Sequence, residues 1–333
     1  MASLVQLLHP AHGRAVALVD DHNLQVLTSI SSAYDLAQEA IATGTPLARL
    51  AEDATTSLTL NYEHVLSGRS EWGLLPAFDH PAEPGRCHVT GTGLTHMASV
   101  ETRQAMHAAG AVETDSMRMY KWGEQGGRPM SGCPGTSPEW FYKGNGLMLA
   151  GPNQPLEVPW FAEDGGEEGE IAGIYLIDKD GNPCRAGMAQ GNEFSDHVFE
   201  KKNYLYLASS KIRQCSIGPE LKLDPDFGDV AGSIRVFRGD DTVWEKPVRT
   251  GEANMCHSLA NMEHHHFKFP LHCRPGDVHI HFYGASAFSF GAGLKLQDGD
   301  VMEICYEGFG KPLRNPLKVT AHDASRLVKV RPL

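Results

Sequence analysis

Long apolar runs, an excess of basic charge and a secretion signal are all missing from this sequence. No apolar stretch approaches the roughly 20 residues that a helix needs to cross a bilayer. The formal net charge is −12, and no basic stripe is interleaved with aromatic residues, so nucleic acid and anionic membrane surfaces are poor partners. The first ten residues have neither a positive segment nor a sustained apolar core, and we expect no signal peptide. These absences argue against a protein that spans a membrane, is secreted or binds nucleic acid.

Paired cysteines are lacking as well. The chain has seven cysteines, an odd number, and none forms a Cys-x-x-Cys motif. This scatter is typical of reduced thiols in a cytoplasm and argues against a disulfide framework or a zinc ribbon. The seven are Cys87, Cys133, Cys184, Cys215, Cys256, Cys273 and Cys305.

The remaining composition is that of a globular protein. Its 333 residues, 41% hydrophobic and 21% charged, suffice to bury the core of one large domain or two smaller ones. Residues 1–75 predict a small α+β domain. Its strands are expected at Leu4–Leu8, Ala15–Val19 and Leu24–Leu27. The run Ser32-Ala33-Tyr34-Asp35 has the form of a capping box and predicts a helix that ends at Gly44. A second helix is expected from Pro46 to about Leu58.

A second domain is predicted from residue 76 to residue 333. The segment from Pro76 to Gly85 carries three prolines with polar spacers, which is typical of a linker. Beyond it, short strand-like runs are separated by turn residues, and Asp180-Gly181-Asn182 predicts a hairpin. A helical interruption is expected around Asp196–Ser210. The pattern favours a β-rich α+β domain over a doubly wound parallel sheet. The predicted strands include Leu147–Ala150, Ile171–Ile177, Arg185–Gly191, Ser233–Arg238, Val278–Phe282 and Val301–Tyr306.

Two glutamates separated by one glycine, Glu168 and Glu170, precede the apolar run that starts at Ile171. Alternation along a strand puts both on the same face. Carboxylates that close repel each other unless a positive charge lies between them, and oxygen-rich sites suit Mg²⁺, Mn²⁺ or Ca²⁺. A third acid, Glu193, follows one predicted hairpin later. An acidic patch before a strand is more often a solvated loop, so the pair alone decides little.

Six motifs follow one another along the chain. They are Leu75-Pro76 with Val89–Thr95, Pro138–Gly144, Glu168-Gly169-Glu170, Gly191-Asn192-Glu193, Lys211–Pro219, and the paired runs Arg274–Val278 and Gln297–Glu303. In this order they resemble the fumarylacetoacetate hydrolase superfamily. The resemblance implies a β-roll catalytic domain after a small amino-terminal domain, a homodimer, and one divalent metal, Mg²⁺. It also implies that Glu168, Glu170 and Glu193 hold the metal.

Three departures from the superfamily pattern bear on the reaction. In members that hydrolyse diketo acids, a His-x-x-Glu pair activates water, whereas here the histidine is displaced to His96 and Ser99 stands near the usual histidine position. The third metal ligand is Glu193 where the superfamily has Asp. Ser286 stands in place of the threonine of a Gly-Thr motif. These departures resemble the branch that acts on 2-keto-3-deoxy sugar acids, such as the arabonate and xylonate dehydratases.

The chemistry expected of such a site is dehydration. A 2-keto acid that chelates a divalent ion is activated for loss of a C3 proton, and departure of the C4 hydroxyl completes the reaction. From a pentonate, the product would tautomerise to 2-oxoglutarate semialdehyde. We therefore expect a Mg²⁺-dependent lyase of sugar catabolism. One alternative is hydrolysis of a 2,4-diketo acid to pyruvate and a short acid, and another is a non-catalytic protein that senses a keto acid.

Several residues are candidates for the catalytic groups. Lys211 is expected to meet the substrate carboxylate or enolate, or to transfer protons. His96 and Glu101 are acid–base candidates, with a core histidine and an ordinary first-turn helix acid left open as alternatives. Lys143 either pairs with an anionic group or caps its strand. The full catalytic set is Lys211, Glu101, His96 and Ser99, and the substrate-binding set is Lys143, Asn254 and Ser286.

Consecutive histidines in the run Glu263-His264-His265-His266 suggest zinc. Neighbouring side chains diverge, however, and zinc ligands are usually spaced apart. We expect instead that one of these histidines, with Asn254 or His257, lines the substrate pocket or a dimer contact. His279 and His281 alternate on one strand face and serve either the pocket or packing.

Overall fold

Strands make up most of the computed structural model, which describes residues 2–98, 100–101 and 114–333. In chain order they are β1 (Ser3–His9), β2 (Gly13–Asp20), β3 (Asn23–Leu27), β4 (Thr55–Asn61), β5 (Gly73–Leu74), β6 (Cys87–Gly93), β7 (Glu139–Asn145), β8 (Leu149–Ala150), β9 (Leu156–Val158), β10 (Gly169–Ile177), β11 (Pro183–Asn192), β12 (Cys215–Ile217), β13 (Leu221–Lys222), β14 (Val230–Arg238), β15 (Asp241–Thr250), β16 (Val278–Phe282), β17 (Val301–Tyr306) and β18 (Leu313–Val319).

Short helices connect and cover the strands. Those of the described residues are α1 (Ala33–Thr43), α2 (Leu47–Asp53), α3 (Tyr62–Leu66), α4 (Asp115–Gly126), α5 (His197–Lys202), α6 (Leu207–Lys211) and α7 (Leu259–Phe267). Single 3₁₀ turns lie at Pro84–Arg86, Gly146–Met148, Tyr204–Tyr206, Glu252–Asn254, Pro270–His272 and Ser289–Ala292. No helix in the described part of the chain is both long and apolar enough to cross a membrane.

A large mixed sheet runs in the order β4-β3-β2-β1-β13-β11-β10-β16-β6-β7, and a second sheet runs β15-β14-β17-β18-β9. Strand β10 is buried along its whole length because it pairs with β11 on one side and β16 on the other and is covered on both faces. On one face Ala172, Ile174 and Leu176 join a core that includes residues of α1, and on the other Ile171 packs with residues of the second sheet. From Ile171 onward this fully covered strand is continuously apolar, as expected for a strand without a solvent face.

Most of the predicted elements are confirmed. The three amino-terminal strands are β1, β2 and β3, and Ser32 caps α1 by accepting a hydrogen bond from the backbone N–H of Asp35, with Gly44 in the left-handed conformation at the other end. The predicted hairpin is the β10–β11 pair. The sheet order is continuous from β1 to β13 and β11, and the domain boundary at residue 76 stays a prediction.

Two element predictions are wrong. The second helix ends at Asp53 instead of Leu58, because the threonine-rich run that follows forms β4 against β3, and β-branched residues favour strands. Leu147 lies in a 3₁₀ turn that precedes the two-residue strand β8. The helical interruption expected around Asp196–Ser210 is confirmed. It is divided into α5, a 3₁₀ turn and α6, because the extended residue Asn203 ends α5 and caps the turn with its side chain.

Five histidine rings lie together beneath α7, on the face of β16 that points away from the core around α1. Their ring centroids are separated by 4.5 to 6.3 Å in the pairs that touch. Nε2 of His266 lies 2.9 Å from Nδ1 of His279, and His281 lies with one ring nitrogen 2.8 Å from a threonine hydroxyl on each side. Burial, with a smaller contribution from the neighbouring imidazoles, lowers the pKa of His266 and His279, and it lowers the pKa of His281 to about 3. The five are His88, His266, His272, His279 and His281.

The lowered pKa values predict a loss of stability in mild acid. An unfolded histidine titrates near pH 6.5, so stability is full above that pH and falls below it, by about 1 kcal/mol per buried histidine between pH 7.5 and pH 5.5. Urea unfolding of wild type and His279→Phe at both pH values checks this. The variant is expected to lose about 1 kcal/mol less than wild type over the same interval, and an identical loss in both proteins would contradict the assignment.

Candidate active site

The three predicted acids meet at one end of the β10–β11 hairpin. Glu170 lies in β10 opposite Gly191, and Gly169 lies opposite Asn192. The backbone N–H of Glu193, the residue after β11, donates to the carbonyl of Glu168. One carboxylate oxygen from each of the three acids lies within 4.8 Å of the others, and all three side chains are buried. The hairpin register therefore gathers Glu168, Glu170 and Glu193 into what we call the acidic triad.

Repulsion within the triad is visible in its pKa shifts. Burial, together with the nearby charges of Glu193 and Glu168, raises the pKa of Glu170 well above its usual value. Burial also acts to raise the pKa of Glu168, but the ammonium of Lys211 and the imidazole of His197 outweigh it and lower that pKa well below its usual value. The triad thus holds more negative charge than its protein neighbours compensate.

Two buried lysines lie against the triad. The ammonium of Lys211, the last residue of α6, donates to Glu168 at 2.6 Å, to Glu193 at 2.5 Å and to the Ser195 hydroxyl at 2.8 Å. The ammonium of Lys143 lies 2.7 Å from the other oxygen of Glu193 and also donates to two backbone carbonyls. Lys211, predicted from its motif, lies beside the predicted metal ligands, and Lys143 is buried against Glu193.

Residues before β10, at the start of α5 and after β16 complete the surroundings of the triad. The backbone N–H of Gly284 donates to Glu170 at 2.7 Å, and Nε2 of His197 lies 3.0 Å from Glu168. The neighbouring carboxylate of Glu167 accepts hydrogen bonds from the backbone N–H and the hydroxyl of Ser289. Burial acts to lower the pKa of His197, but its hydrogen bond to Glu168 and the charges of Glu168 and Asp164 outweigh burial and raise it.

These residues fit a hard divalent cation. Three carboxylates converge within ion-binding distance of one another, and one of them, Glu170, has its pKa raised by burial and by the charges of the other two. Hard oxygen ligands of this kind suit Mg²⁺, Mn²⁺ or Ca²⁺ better than zinc. In the described part of the chain, no group of three or more histidines brings its ring nitrogens within 4.8 Å of one another. The run from Glu263 to His266 therefore forms no such group there.

Another buried carboxylate outside the triad lies along β7. Glu139, Phe141 and Lys143 alternate on the buried face of this strand, and the ring of Phe141 lies 4.9 Å from the ammonium of Lys211. The Glu139 carboxylate accepts a hydrogen bond from the hydroxyl of Tyr204. Gly93 of β6 lies opposite Glu139, and a Cβ on Gly93 would collide with the Glu139 carboxylate. The glycine therefore leaves room for an acid about 13 Å along the strand from Lys143.

His96, another predicted site residue, is buried beside two threonines. Both ring nitrogens of His96 lie within hydrogen-bonding distance of threonine hydroxyls, those of Thr95 and Thr250, and burial lowers the pKa of His96 to about 4. Glu101 is exposed, and Ser99 lies outside the described residues. The two remaining candidates are Asn254, whose amide donates to Asp229 and to the carbonyl of Thr250, and Ser286, which is buried two residues after Gly284.

Sequence reasoning missed Glu139, Glu167 and His197 as site residues. Glu139 stands in a quoted motif, and its period-two alternation with Phe141 and Lys143 was a usable signal. His197 follows Glu193 by four residues, but no spacing rule singles it out. Its proximity to Glu168 depends on the turn between β11 and α5, which only the folded chain defines.

Solved structures with the same fold extend over nearly the whole chain. A hexagonal crystal form of 2-keto-3-deoxyarabinonate dehydratase matches with a TM-score of 0.70 and 17% identity, covering 96% of this chain and 99% of that one. The 2-keto-3-deoxy-D-arabinonate dehydratase complexed with magnesium and 2,5-dioxopentanoate matches with a TM-score of 0.69, 17% identity and the same coverage. No family model and no curated protein matches the chain.

An isomerase shares the fold as well. The 2-hydroxyhepta-2,4-diene-1,7-dioate isomerase from Mycobacterium marinum has a TM-score of 0.58 and 17% identity, and the match covers 96% of this chain and 99% of that one. Together these likenesses show that the chain shares its fold with these enzymes. At this identity they leave the reaction to be argued from the residues of the site.

Removing the ammonium next to Glu193 is expected to destabilise the fold. Lys143→Met leaves a buried carboxylate with one cation fewer, and such losses cost about 3 kcal/mol or more. Chemical denaturation in the presence of a chelator measures the change in the free energy of unfolding. The control is Lys179→Met, because Lys179 lies exposed in the hairpin turn and should change stability by less than about 0.5 kcal/mol. Equal effects of the two substitutions would refute the counter-charge role of Lys143.

Proposed function

We propose that the protein is a Mg²⁺-dependent hydro-lyase that converts a 2-keto-3-deoxypentonate to 2,5-dioxopentanoate, the semialdehyde of 2-oxoglutarate. The observation that carries the proposal is the buried acidic triad with Lys211 between two of its members. The fold shared with a dehydratase complexed with magnesium and 2,5-dioxopentanoate supports the same reaction class. Cytoplasmic location and assembly as a homodimer remain predictions.

Glu168, Glu170 and Glu193 would hold the ion. A bound divalent cation supplies Lewis-acid stabilisation of the negative charge that develops when a 2-keto acid loses its C3 proton. Lys211 contacts both Glu168 and Glu193, so we assign it the substrate carboxylate or the developing enolate. Ammonium groups in such buried positions stabilise negative charge more strongly than they do in water.

Glu139 is our candidate for the proton transfers of the dehydration. The reaction breaks the C3–H bond and the C4–O bond and releases the two fragments as water, so it needs a group that accepts a proton and later donates one. Phe141 separates Glu139 from Lys143 along one strand face, which sets this carboxyl apart from the triad. Because Glu139 is not one of the proposed metal ligands, we assign its carboxyl to proton transfer.

The contacts of His96 do not favour the hydrolytic alternative. A water-activating pair needs a histidine with a ring nitrogen turned to the water and a carboxylate behind it. Here His96 contacts Thr95 and Thr250 through its two ring nitrogens, and Glu101 is exposed. We therefore keep hydrolysis of acylpyruvates as an outcome of the assay and not as a second proposal.

The purified protein is expected to form 2,5-dioxopentanoate from 2-keto-3-deoxyarabonate or its xylonate epimer when Mg²⁺ is present. Both epimers and an acylpyruvate are incubated with the protein, and aldehyde and pyruvate are quantified. Chelation should abolish turnover, and added Mg²⁺ should restore it. Pyruvate release from the acylpyruvate without dehydration of either sugar acid would contradict the proposal, and so would turnover that survives chelation.

Glu139→Gln is expected to lower kcat by about 100-fold or more, because the amide cannot accept the proton. The amide oxygen can still accept the hydrogen bond from Tyr204, so the fold and the Mg²⁺ affinity should change little. Steady-state kinetics and calorimetric titration with Mg²⁺ measure the two effects. Glu245→Gln, at an exposed position of β15, is the control and should keep wild-type kcat. A Glu139→Gln protein with wild-type kcat would exclude this residue as the acid–base group.

A further inference from the structure

One short segment of the chain, residues 284–290, contacts the glutamates at the start of β10. Its first residue, Gly284, donates its backbone N–H to Glu170, and Ser289 donates two hydrogen bonds to Glu167. Phe288 and Phe290 lie on either side of Ser289. Their rings contact His197, and His197 contacts Glu168.

The imidazole of His197 is held by the two phenylalanines. Its ring lies parallel to that of Phe288, with an interplanar angle of 9° and centroids 4.9 Å apart, and 5.2 Å from that of Phe290. The residue is 2% exposed. Offset-stacked aromatic rings of this kind restrict both the position and the tilt of the ring they contact. His197 therefore presents Nε2 to Glu168 from a fixed direction.

Gly166 leaves the space that the other edge of this ring needs. A Cβ at position 166 would lie 2.5 Å from Nδ1 of His197. Gly166 is itself held by a two-way backbone pairing with Ser195, so it cannot move aside. The backbone at 166 and the two phenylalanine rings thus define three sides of the imidazole.

Glu168 already has a cation, because Lys211 donates to the same oxygen, Oε1, at 2.6 Å. Neutralisation alone therefore does not account for His197. The terminal torsion of a glutamate is soft and has broad minima, so a single flexible lysine leaves the carboxylate plane free to turn. A second donor from a rigid ring, at 3.0 Å, removes that freedom.

We propose that His197 is a positioning residue that fixes the orientation of the Glu168 carboxylate for a divalent cation, and that Phe288, Phe290 and Gly166 fix His197 in turn. The proposal rests on the metal site proposed above. Partners that orient metal ligands in this way are typically worth 10- to 100-fold in metal affinity. The proposal extends the site to residues that none of the six sequence motifs contains.

Calorimetric titration of the full-length protein with Mg²⁺ tests this role without relying on turnover. His197→Leu removes the donor and is expected to weaken Mg²⁺ binding by about 10- to 100-fold. His197→Gln keeps an amide N–H within similar reach of Glu168 and is expected to stay within about fivefold of wild type. His272→Leu is the matched control, because His272 is also buried but lies in the histidine cluster on the other face of the sheet. It should lower stability and leave the Kd for Mg²⁺ within about twofold of wild type.

The outcomes separate this inference from the metal site on which it rests. If wild type does not bind Mg²⁺, the proposed function itself fails. If wild type binds and folded His197→Leu binds equally well, or if His272→Leu weakens binding as much, the positioning role is overturned. Should His197→Leu not fold, Gly166→Ala decides, because it keeps every hydrogen-bonding group and only displaces the ring. A weakened Mg²⁺ affinity in Gly166→Ala supports the role, and an unchanged affinity overturns it.

Discussion

Mutual repulsion among three buried carboxylates is the constraint on which the rest of this structure depends. Glu168, Glu170 and Glu193 bring their oxygens within 4.8 Å of one another, away from water. Such an arrangement is strongly unfavourable unless positive charge compensates it. Two lysines supply part of that charge. Burial and the two neighbouring carboxylates still raise the pKa of Glu170, and we assign the remaining compensation to a bound cation.

Several elements of the fold position the groups that surround the triad. The β10–β11 hairpin sets the spacing of the acids through its register, and the end of α6 delivers Lys211 to them. Strand β7 brings Lys143 to the triad on the same face that carries Glu139 further out. The loop that follows β16 contributes a backbone N–H and two aromatic rings. A rigid frame of this sort is what electrostatic catalysis requires, because the charges are oriented before the substrate arrives.

Period and turn chemistry made the β-strands, the capped helix α1 and the triad predictable from the sequence. Glu168 immediately precedes β10 and Glu170 lies in it, so the two share a face. The hairpin turn at Gly181 sets which residues of β11 pair with β10. The same reasoning overextended α2, because the pairing of β4 with β3 decides the fate of residues 55–61. From the sequence, His96 was a candidate catalytic base, whereas in the structure both of its ring nitrogens lie against threonine hydroxyls. His197 was not predictable, since its partners come from two distant segments, one before β10 and one after β16.

Anomalous diffraction from crystals grown with Mn²⁺ and a non-reacting 2-keto acid tests the central claim most directly. The account predicts one strong Mn²⁺ peak between the carboxylates of Glu168, Glu170 and Glu193, with the keto acid bound to the same ion. The absence of Mn²⁺ from the triad, or Mn²⁺ bound only elsewhere on the protein, would contradict it.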